Sequence, residues 1–422
     1  MSVNNIVNVS TKNSEIFIGE NVFSVMSEYL RPYESNKIFI LVDENTLEHC
    51  IPTLLLESKG LHNAEIIEID SGEENKTIDI CYQIWKTLAD YKADRGSLLI
   101  NLGGGVISDM GGFIASTYKR GIDFINVPTT LLSQIDASVG GKTGVDFEGL
   151  KNIIGVFNEP KSVFIYPNYL QTLDKIEMLS GYAEALKHAL IKDVDYWSKL
   201  DPGMLSNSNN WEELINTSIS IKNDVVLKDP FEKGERKLLN FGHTIGHAVE
   251  SYSLLHDQKP MKHGEAIAIG MICESYISNC KNELTATDLM AITARISSIY
   301  NFHQLDDSNY HELIELMKND KELFMPPKEN GVKKEPATKS LNDKLVGKEI
   351  KVDLNNRLAF VKHLFNGSAE DYNRVLSQLG TIDTEEQSIA FINNMVKPDY
   401  NNWEGKEEYE ERLIVLIERR FV

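Results

Sequence analysis

The segment LLNFGHTIGHAVE places His243 and His247 four residues apart, one helical turn, so both rings leave the same face of a helix. His263 follows in MKHGEAIAIG, and Glu184 lies in SGYAEALKHALI beside Lys187 and His188. A His pair at this spacing with a further imidazole and a carboxylate is a ligand set for a zinc-like ion. A lone HxxxH pair is more often a packing or surface feature; the third His and the Glu, all in helical stretches, give the metal its weight. Spacing alone makes both His243 and His247 ligands.

Two glycine-rich turns carry a second chemistry. NLGGGVISDMGG sets Gly103, Gly104 and Gly105 after an apolar run, with Asp109 beside Gly111 and Gly112, and VGGKTG places Lys142 in another such turn. Glycine lets a backbone come close to a phosphate and adopt positive φ without steric cost. Asp43 ends one β-rich run, and Glu73 and Lys76 follow another in GEENKT. An acid at a strand end is placed to take ribose hydroxyls. The glycine run is not GxGxxG, so its spacing does not by itself specify a dinucleotide. Lys187, Lys222, Arg236 and Lys237 cluster near the ligand helices. Each alone reads as a solvated charge; grouped in an acidic chain, they read as a pocket for an anionic substrate.

The elements that must position these groups follow from periodicity. Ile38–Val42, Ile66–Ile69, Leu98–Leu102, Ile122–Val127 and Val163–Tyr166 are β-rich, with helical stretches such as Cys81–Tyr91 between several of them. This is an α/β pattern with a mainly parallel sheet, whose ligands bind at the carboxyl ends of the strands. From about Thr172 long helical patterns take over: Met178–Ile191, Trp211–Leu227, Leu238–Ser253, Gly264–Ser278 and Asp288–Tyr300. The expected organisation is an α/β nucleotide-binding domain over 1–171 and a mostly helical metal- and substrate-binding domain over 172–325. A Pro/Lys/Glu-rich linker over 326–340 and a small helical accessory domain over 341–422 complete it.

Composition bounds the partners. A net charge of −20 over 422 residues argues against nucleic acid and against an anionic membrane. No apolar run reaches the ~20 residues of a membrane span. The four cysteines lack metal or disulfide spacing, and the N-terminus has no leader pattern, so a reduced, cytoplasmic protein is expected.

With these residues assembled, the chain resembles the 3-dehydroquinate synthase family of the sugar phosphate cyclases over about residues 10–320. The segments that carry the resemblance are GGGVISDMGGFIASTYKRG, FINVPTTLLSQIDASVGGKTG, KNIIG, SGYAEALKH, KLLNFGHTIGHAVE and HGEAIAIGM, in the family's order. The resemblance implies an NAD- and metal-dependent carbon–oxygen lyase. It would close 3-deoxy-D-arabino-heptulosonate 7-phosphate to 3-dehydroquinate with loss of phosphate, on the shikimate pathway to chorismate and the aromatic amino acids. By family position zinc or cobalt is held by Glu184, His243 and His263, which turns His247 toward substrate instead. Lys142, Lys187, Lys222, Arg236, Asn240 and His247 are implied as catalytic. Arg120, Asp136, Asn152 and Lys321 are implied as substrate-binding, with Arg120 supplied across a homodimer. Asp43, Glu73, Lys76, Gly104, Gly105, Asp109, Thr129, Thr130, Lys142 and Lys151 are implied to hold NAD.

The chain departs from the family in three places. NDKELFMPP keeps Lys321 but has Glu322 where a second lysine is usual, Asp229–Pro230 stands where an Asp-Glu pair is common, and the family's closing segment is replaced by the linker and tail. Three alternatives stay open: a sibling cyclase using sedoheptulose 7-phosphate or forming deoxyinosose, a metal-dependent polyol dehydrogenase, and an impaired scaffold whose tail binds an unknown partner. The trio Arg236, Asn240 and His247 looks like the dehydroquinate type.

Overall fold

A computed structural model of the chain describes residues 6–147, 150–201, 203, 205, 211–230, 232–302, 309–319, 354–380, 382 and 384–418. Contacts divide the chain into two compact units, Met1–Met325 and Pro326–Val422. Lys321 and the expected linker lie outside the described residues.

The first unit is built on a seven-stranded sheet. Its strands are β1 (Val7–Ser10), β2 (Glu15–Ile18), β3 (Ile38–Asp43), β4 (Glu65–Ile69), β5 (Leu98–Gly103), β6 (Asp123–Pro128) and, after a hairpin of β7 (Lys142–Phe147) and β8 (Leu150–Phe157), β9 (Ser162–Ile165). The order is β1-β2-β9-β6-β5-β3-β4, parallel throughout except for the β1–β2 pair. The central strands are apolar without interruption because both faces are covered. Alternate residues of β3 go to opposite layers. Ile38, Ile40 and Val42 pack with Val22, Phe23 and Met26 of helix α1 (Val22–Leu30), whereas Phe39 and Leu41 pack with Cys81, Ile84, Met110 and Ile114 on the other face. Because β3, β5 and β6 run in parallel, Asp43, Gly103 and Pro128 all fall at one edge of the sheet, with Gly103 in register with Pro128.

The helical half of this unit comprises α6 (Lys175–Lys192), α8 (Trp211–Lys228), α9 (His243–His256), α10 (His263–Cys280) and α11 (Ala286–Ile299), among others. Its core, with Tyr182, Leu186, Ile219, Ile267 and Met271, continues into Ile16, Ile18 and Val163 at the sheet edge. The helix expected over Leu238–Ser253 is broken in two. A 3-10 turn spans Glu235–Asn240, Gly242 takes φ 81°, and α9 begins only at His243. The cause is tertiary. The Gly242 N–H donates to Glu274 Oε2 of α10 at 2.8 Å, and a Cβ built on Gly270 would sit 1.8 Å from the Gly242 carbonyl oxygen. Two glycines therefore let the start of α9 press onto α10, and no larger residue fits at 270 unless the helices part.

The second unit is helical. Leu354–His363, Ala369–Gly380, Glu385–Phe391 and Glu407–Glu418 gather around Phe360, Leu364, Phe365, Tyr372, Leu379, Ile392, Trp403 and Leu413, all buried. Trp403 donates its indole N–H to the Leu364 carbonyl at 2.9 Å, so this core also satisfies its largest polar group. Among the described residues no helix is long and apolar enough to cross a membrane.

Candidate active site

Helices α6, α9 and α10 bring the ligand-type residues together. Gly264, at the start of α10, donates its N–H to Ser180 Oγ of α6 at 3.1 Å, and a Cβ there would lie 2.4 Å from Ser180 Cα. This contact seats His263 beside Glu184, one turn further along α6. Glu184 is fully buried, and its Oε1 lies 3.6 Å from Nε2 of both His243 and His263. The rings of His243, His247 and His263 have centroids 5.1, 5.5 and 5.7 Å apart. One potential ligand nitrogen of each lies within 4.8 Å of the others. The three imidazoles thus form one group, and two of them, His243 and His263, reach Glu184.

Electrostatics point to a cation there. Glu184 Oε1 is buried with no hydrogen-bond partner, which is costly unless something positive completes it. Its Oε2 pairs with the equally buried Lys187. Burial alone would raise the Glu184 carboxyl, but Lys187 and His243 hold it well below the usual carboxylate range. Burial, then Lys187, pushes His243 well down, so it is a neutral donor. His263 goes the other way: burial opposes it, yet the neighbouring Glu184 and Glu250 carboxylates carry it up to about 10. Three nitrogen donors and a carboxylate fit a zinc-like ion.

A second set of charges adjoins the first. Asp136, Glu184 and His188 also offer ligand-type atoms within 4.8 Å of one another. Asp136 accepts from Lys222 Nζ of α8 at 2.6 Å, and the same ammonium donates to the Asp136 carbonyl at 2.7 Å. Burial would raise Asp136, but Lys222 and Lys187 hold it well below its ordinary value. Burial lowers Lys222. The buried Arg236 donates to the carbonyls of Pro230 and Gly140, at 2.9 and 3.3 Å. Glu232 takes Lys142 Nζ at 2.8 Å and the Asn240 amide at 3.2 Å. Sequence reasoning missed Glu232: it sits in a loop with no periodicity to mark its direction.

The phosphate-type cradle forms at the sheet edge. Gly104 precedes α5 (Gly105–Thr117), whose first turn carries no acid, so its free N–H groups suit an anion. Thr129 donates its N–H to the Gly103 carbonyl at 3.1 Å. A Cβ on Gly104 would stand 3.1 Å from Thr130 Cγ2. Behind the turn, Lys76 Nζ donates to Asp109 Oδ2 and Asn152 Oδ1, both at 2.7 Å. Burial would lower Lys76, but Asp109 and Glu73 push it up; Asp109 is itself raised by burial. Asn152, expected at the substrate, is held beside Lys76 and Asp109, which are expected at NAD, with φ 53° and its N–H on Asp146 at 2.7 Å. Asp43 Oδ1 caps α2 (Glu44–His49) by accepting from Thr46 N at 2.8 Å. Lys151 pairs with Glu250 at 2.7 Å and lies 3.9 Å from Glu73. Glu250 was also missed, although it follows His247 by three residues on α9, a same-face spacing that was legible. Arg120 is exposed in the turn Tyr118–Arg120, with φ 71°, and no described contact joins it to the other groups.

Comparison with known proteins agrees with this geometry. The family description "3-dehydroquinate synthase N-terminal" matches residues 66–180 and "3-dehydroquinate synthase C-terminal" matches 181–323; a domain of unknown function matches 349–422. A 3-dehydroquinate synthase of Parabacteroides distasonis is 42% identical over 312 residues, covering 73% of this chain and 87% of that protein. One from Clostridium beijerinckii is 39% identical over 327 residues, covering 75% and 91%. Among solved structures, a 2-deoxy-scyllo-inosose synthase complexed with carbaglucose-6-phosphate, NAD+ and Co2+ is similar with a TM-score of 0.68 at 25% identity, over 76% of this chain and 88% of that one. An NADH-dependent butanol dehydrogenase of Thermotoga maritima, at 13% identity and a TM-score of 0.55, shares the fold over 74% of this chain and 90% of its own.

The Asp136–Lys222 pair yields a pH prediction. Asp136 titrates below its unfolded value, so it stabilises the fold above the usual carboxylate range and loses that contribution as pH falls through its folded value. Lys222→Met strands the carboxylate. We expect a loss of about 3 kcal/mol at neutral pH, an upward-shifted Asp136 titration by NMR, and a stability gap to wild type that narrows in acid. An equal gap at pH 3 and pH 7 would contradict this reading.

Proposed function

Because the chain belongs to the 3-dehydroquinate synthase family, we propose that it converts 3-deoxy-D-arabino-heptulosonate 7-phosphate to 3-dehydroquinate and phosphate in the cytoplasm, using NAD and a zinc or cobalt ion. The observation that carries the reading is the buried Glu184 carboxylate, held between Lys187 and two imidazoles with one oxygen unpartnered. Relatives at 39–42% identity carry that activity in their names, whereas the deoxyinosose-forming neighbour stands at 25%. This favours the dehydroquinate reaction over the sibling cyclases.

In this reading Glu184, His243 and His263 hold the metal. Gly104, Gly105, Thr129, Thr130 and the start of α5 hold the pyrophosphate of NAD, with Asp43, Glu73, Lys76, Asp109 and Lys151 around it. When bound, NAD takes and returns a hydride while the metal polarises the hydroxyl that yields it. The chain's own residues orient and neutralise. Lys142, Lys187, Lys222, Arg236 and Asn240 grip the substrate's carboxylate and hydroxyls, assisted by Asp136. Their preset ion pairs and carbonyl contacts mean little reorganisation is needed on binding. His247, the imidazole left outside the metal set, holds a proton at the substrate hydroxyl. Elimination breaks a C–H bond and the adjacent C–O bond to phosphate, and the departing phosphate takes the proton.

The test measures phosphate and dehydroquinate from the heptulosonate phosphate with NAD and Zn2+, beside metal content. Glu184→Gln, His243→Ala and His263→Ala should each lose metal and activity together; His247→Ala should keep metal and lose turnover at least ~100-fold. Equal metal loss in His247→Ala would return both members of the HxxxH pair to the ligand set. Net NADH release would instead indicate a dehydrogenase.

Arg120, exposed and with no described contact to the other groups, fits a role in the pocket of a second copy. Mixing inactive Arg120→Ala and Lys187→Ala chains should then regain activity in mixed dimers; no regain despite confirmed subunit exchange would refute a shared site.

The tail reads as an accessory unit for a protein partner. A chain ending at Met325 should fold, load zinc and turn over within a few-fold of the full chain. A soluble, zinc-loaded and inactive truncation would show that the tail completes the site.

A further inference from the structure

We propose that Glu250 is a positioning residue that ties the nucleotide site to the cation site, so that the two ligands bind cooperatively. The inference rests on the reading above, in which Lys151 serves NAD and His263 serves the metal. Glu250 stands on α9 and is 5% exposed. Its two oxygens serve two different sites. Oε1 accepts from Lys151 Nζ of β8 at 2.7 Å, and Oε2 faces His263 Nδ1 at 3.3 Å. Lys151 in turn lies 3.9 Å from Glu73 Oε1, on the nucleotide side.

Two consequences follow from donor and acceptor chemistry. A carboxylate can only accept, so His263 carries a proton on Nδ1, and a cation that takes the place of the proton on Nε2 meets a lone pair facing Glu184. The same carboxylate neutralises Lys151 and holds it against the metal half of the site. A nucleotide that draws on Lys151 therefore acts on Glu250, and through it on the orientation of His263. A metal that fixes His263 acts back on Lys151 equally, since binding coupling is reciprocal. Glutamine cannot replace this residue. Its amide group would have to face either the Lys151 ammonium or the His263 N–H, donor against donor.

The experiment uses the full chain and measures Zn2+ affinity by chelator competition, with and without saturating NAD, and NAD affinity with and without Zn2+. Visible absorption of the Co2+ form reports ligand geometry. In wild type we expect each ligand to tighten the other at least ~5-fold. Glu250→Gln should weaken Zn2+ about 10–100-fold, alter the Co2+ spectrum and abolish the coupling. Lys151→Met should keep the NAD-free Zn2+ affinity and spectrum but also lose the coupling. Glu250→Asp should recover part of the Zn2+ affinity, which a merely space-filling role would not predict. Wild-type Zn2+ affinity in Glu250→Gln, or coupling that persists in Lys151→Met, overturns the proposal; the second variant decides if the first does not fold. A wild-type chain that binds both ligands independently overturns the bridge alone. One that binds neither overturns the underlying reading, and the bridge with it.

Discussion

A carboxylate with no access to water is the constraint around which the helical half is arranged. Moving an ion of that size from water into protein costs several kcal/mol even after relaxation. Glu184 therefore has to be met by positive or strongly polar groups from every side. Lys187 comes from its own helix three residues on, and His243 and His263 come from two others. Delivering those imidazoles requires α9 and α10 to begin at the same depth as the middle of α6. The Gly242–Gly270 and Ser180–Gly264 contacts allow this, since any side chain at those glycines would hold the helices apart. Packing and charge thus impose the same geometry: the glycines make the helix starts converge, and the convergence makes the buried carboxylate tolerable.

The sheet edge solves the opposite problem. Here the backbone must be left open, with N–H groups of α5 free to meet an anion, while positive charge stands close without filling the space. Lys76 is buried behind the turn and held by Asp109 and Asn152, which fixes its ammonium in place. Lys151 is held in the same way by Glu250. Both cations are already paired, so an anion bound beside them would redistribute existing interactions and recruit no free charge. Such exchange costs little reorganisation and makes affinity sensitive to the partners of each lysine.

Much of the fold was legible because burial on both faces leaves a simple trace. The runs at Ile38–Val42 and Leu98–Leu102 are apolar without alternation, and the structure has them as central parallel strands within a residue of the expected ends. The helix drawn across Leu238–Ser253 failed because its break is decided elsewhere: apolar periodicity continues through Gly242, and only α10 shows why the chain turns there. The site divides similarly. His243 and His247 could be paired from spacing, since four residues on a helix fix a common face. Glu184 and His263 lie on other helices, so their meeting depends on packing that a linear pattern does not encode. Asp43 sits at a strand end that is also a helix start, so one of its oxygens already accepts a cap bond. Glu232 had no signal at all, being a loop residue outside any periodic run, with one partner, Lys142, far away in the chain and the other, Asn240, eight residues on.

The tail obeys different physics from the rest of the chain. A segment that merely completed an active site would bury its apolar residues against that site and have little core of its own. Residues Pro326–Val422 instead enclose Trp403, Phe365, Tyr372 and Leu379 among themselves, with the indole N–H satisfied internally. Small helical units hold a core best when large apolar side chains are concentrated in it, and this unit has an aromatic centre: Phe365 stacks edge-on against Tyr372, Tyr400 and Trp403. The motifs before residue 320 stay in order, and the tail is matched separately, by a domain of unknown function over residues 349–422.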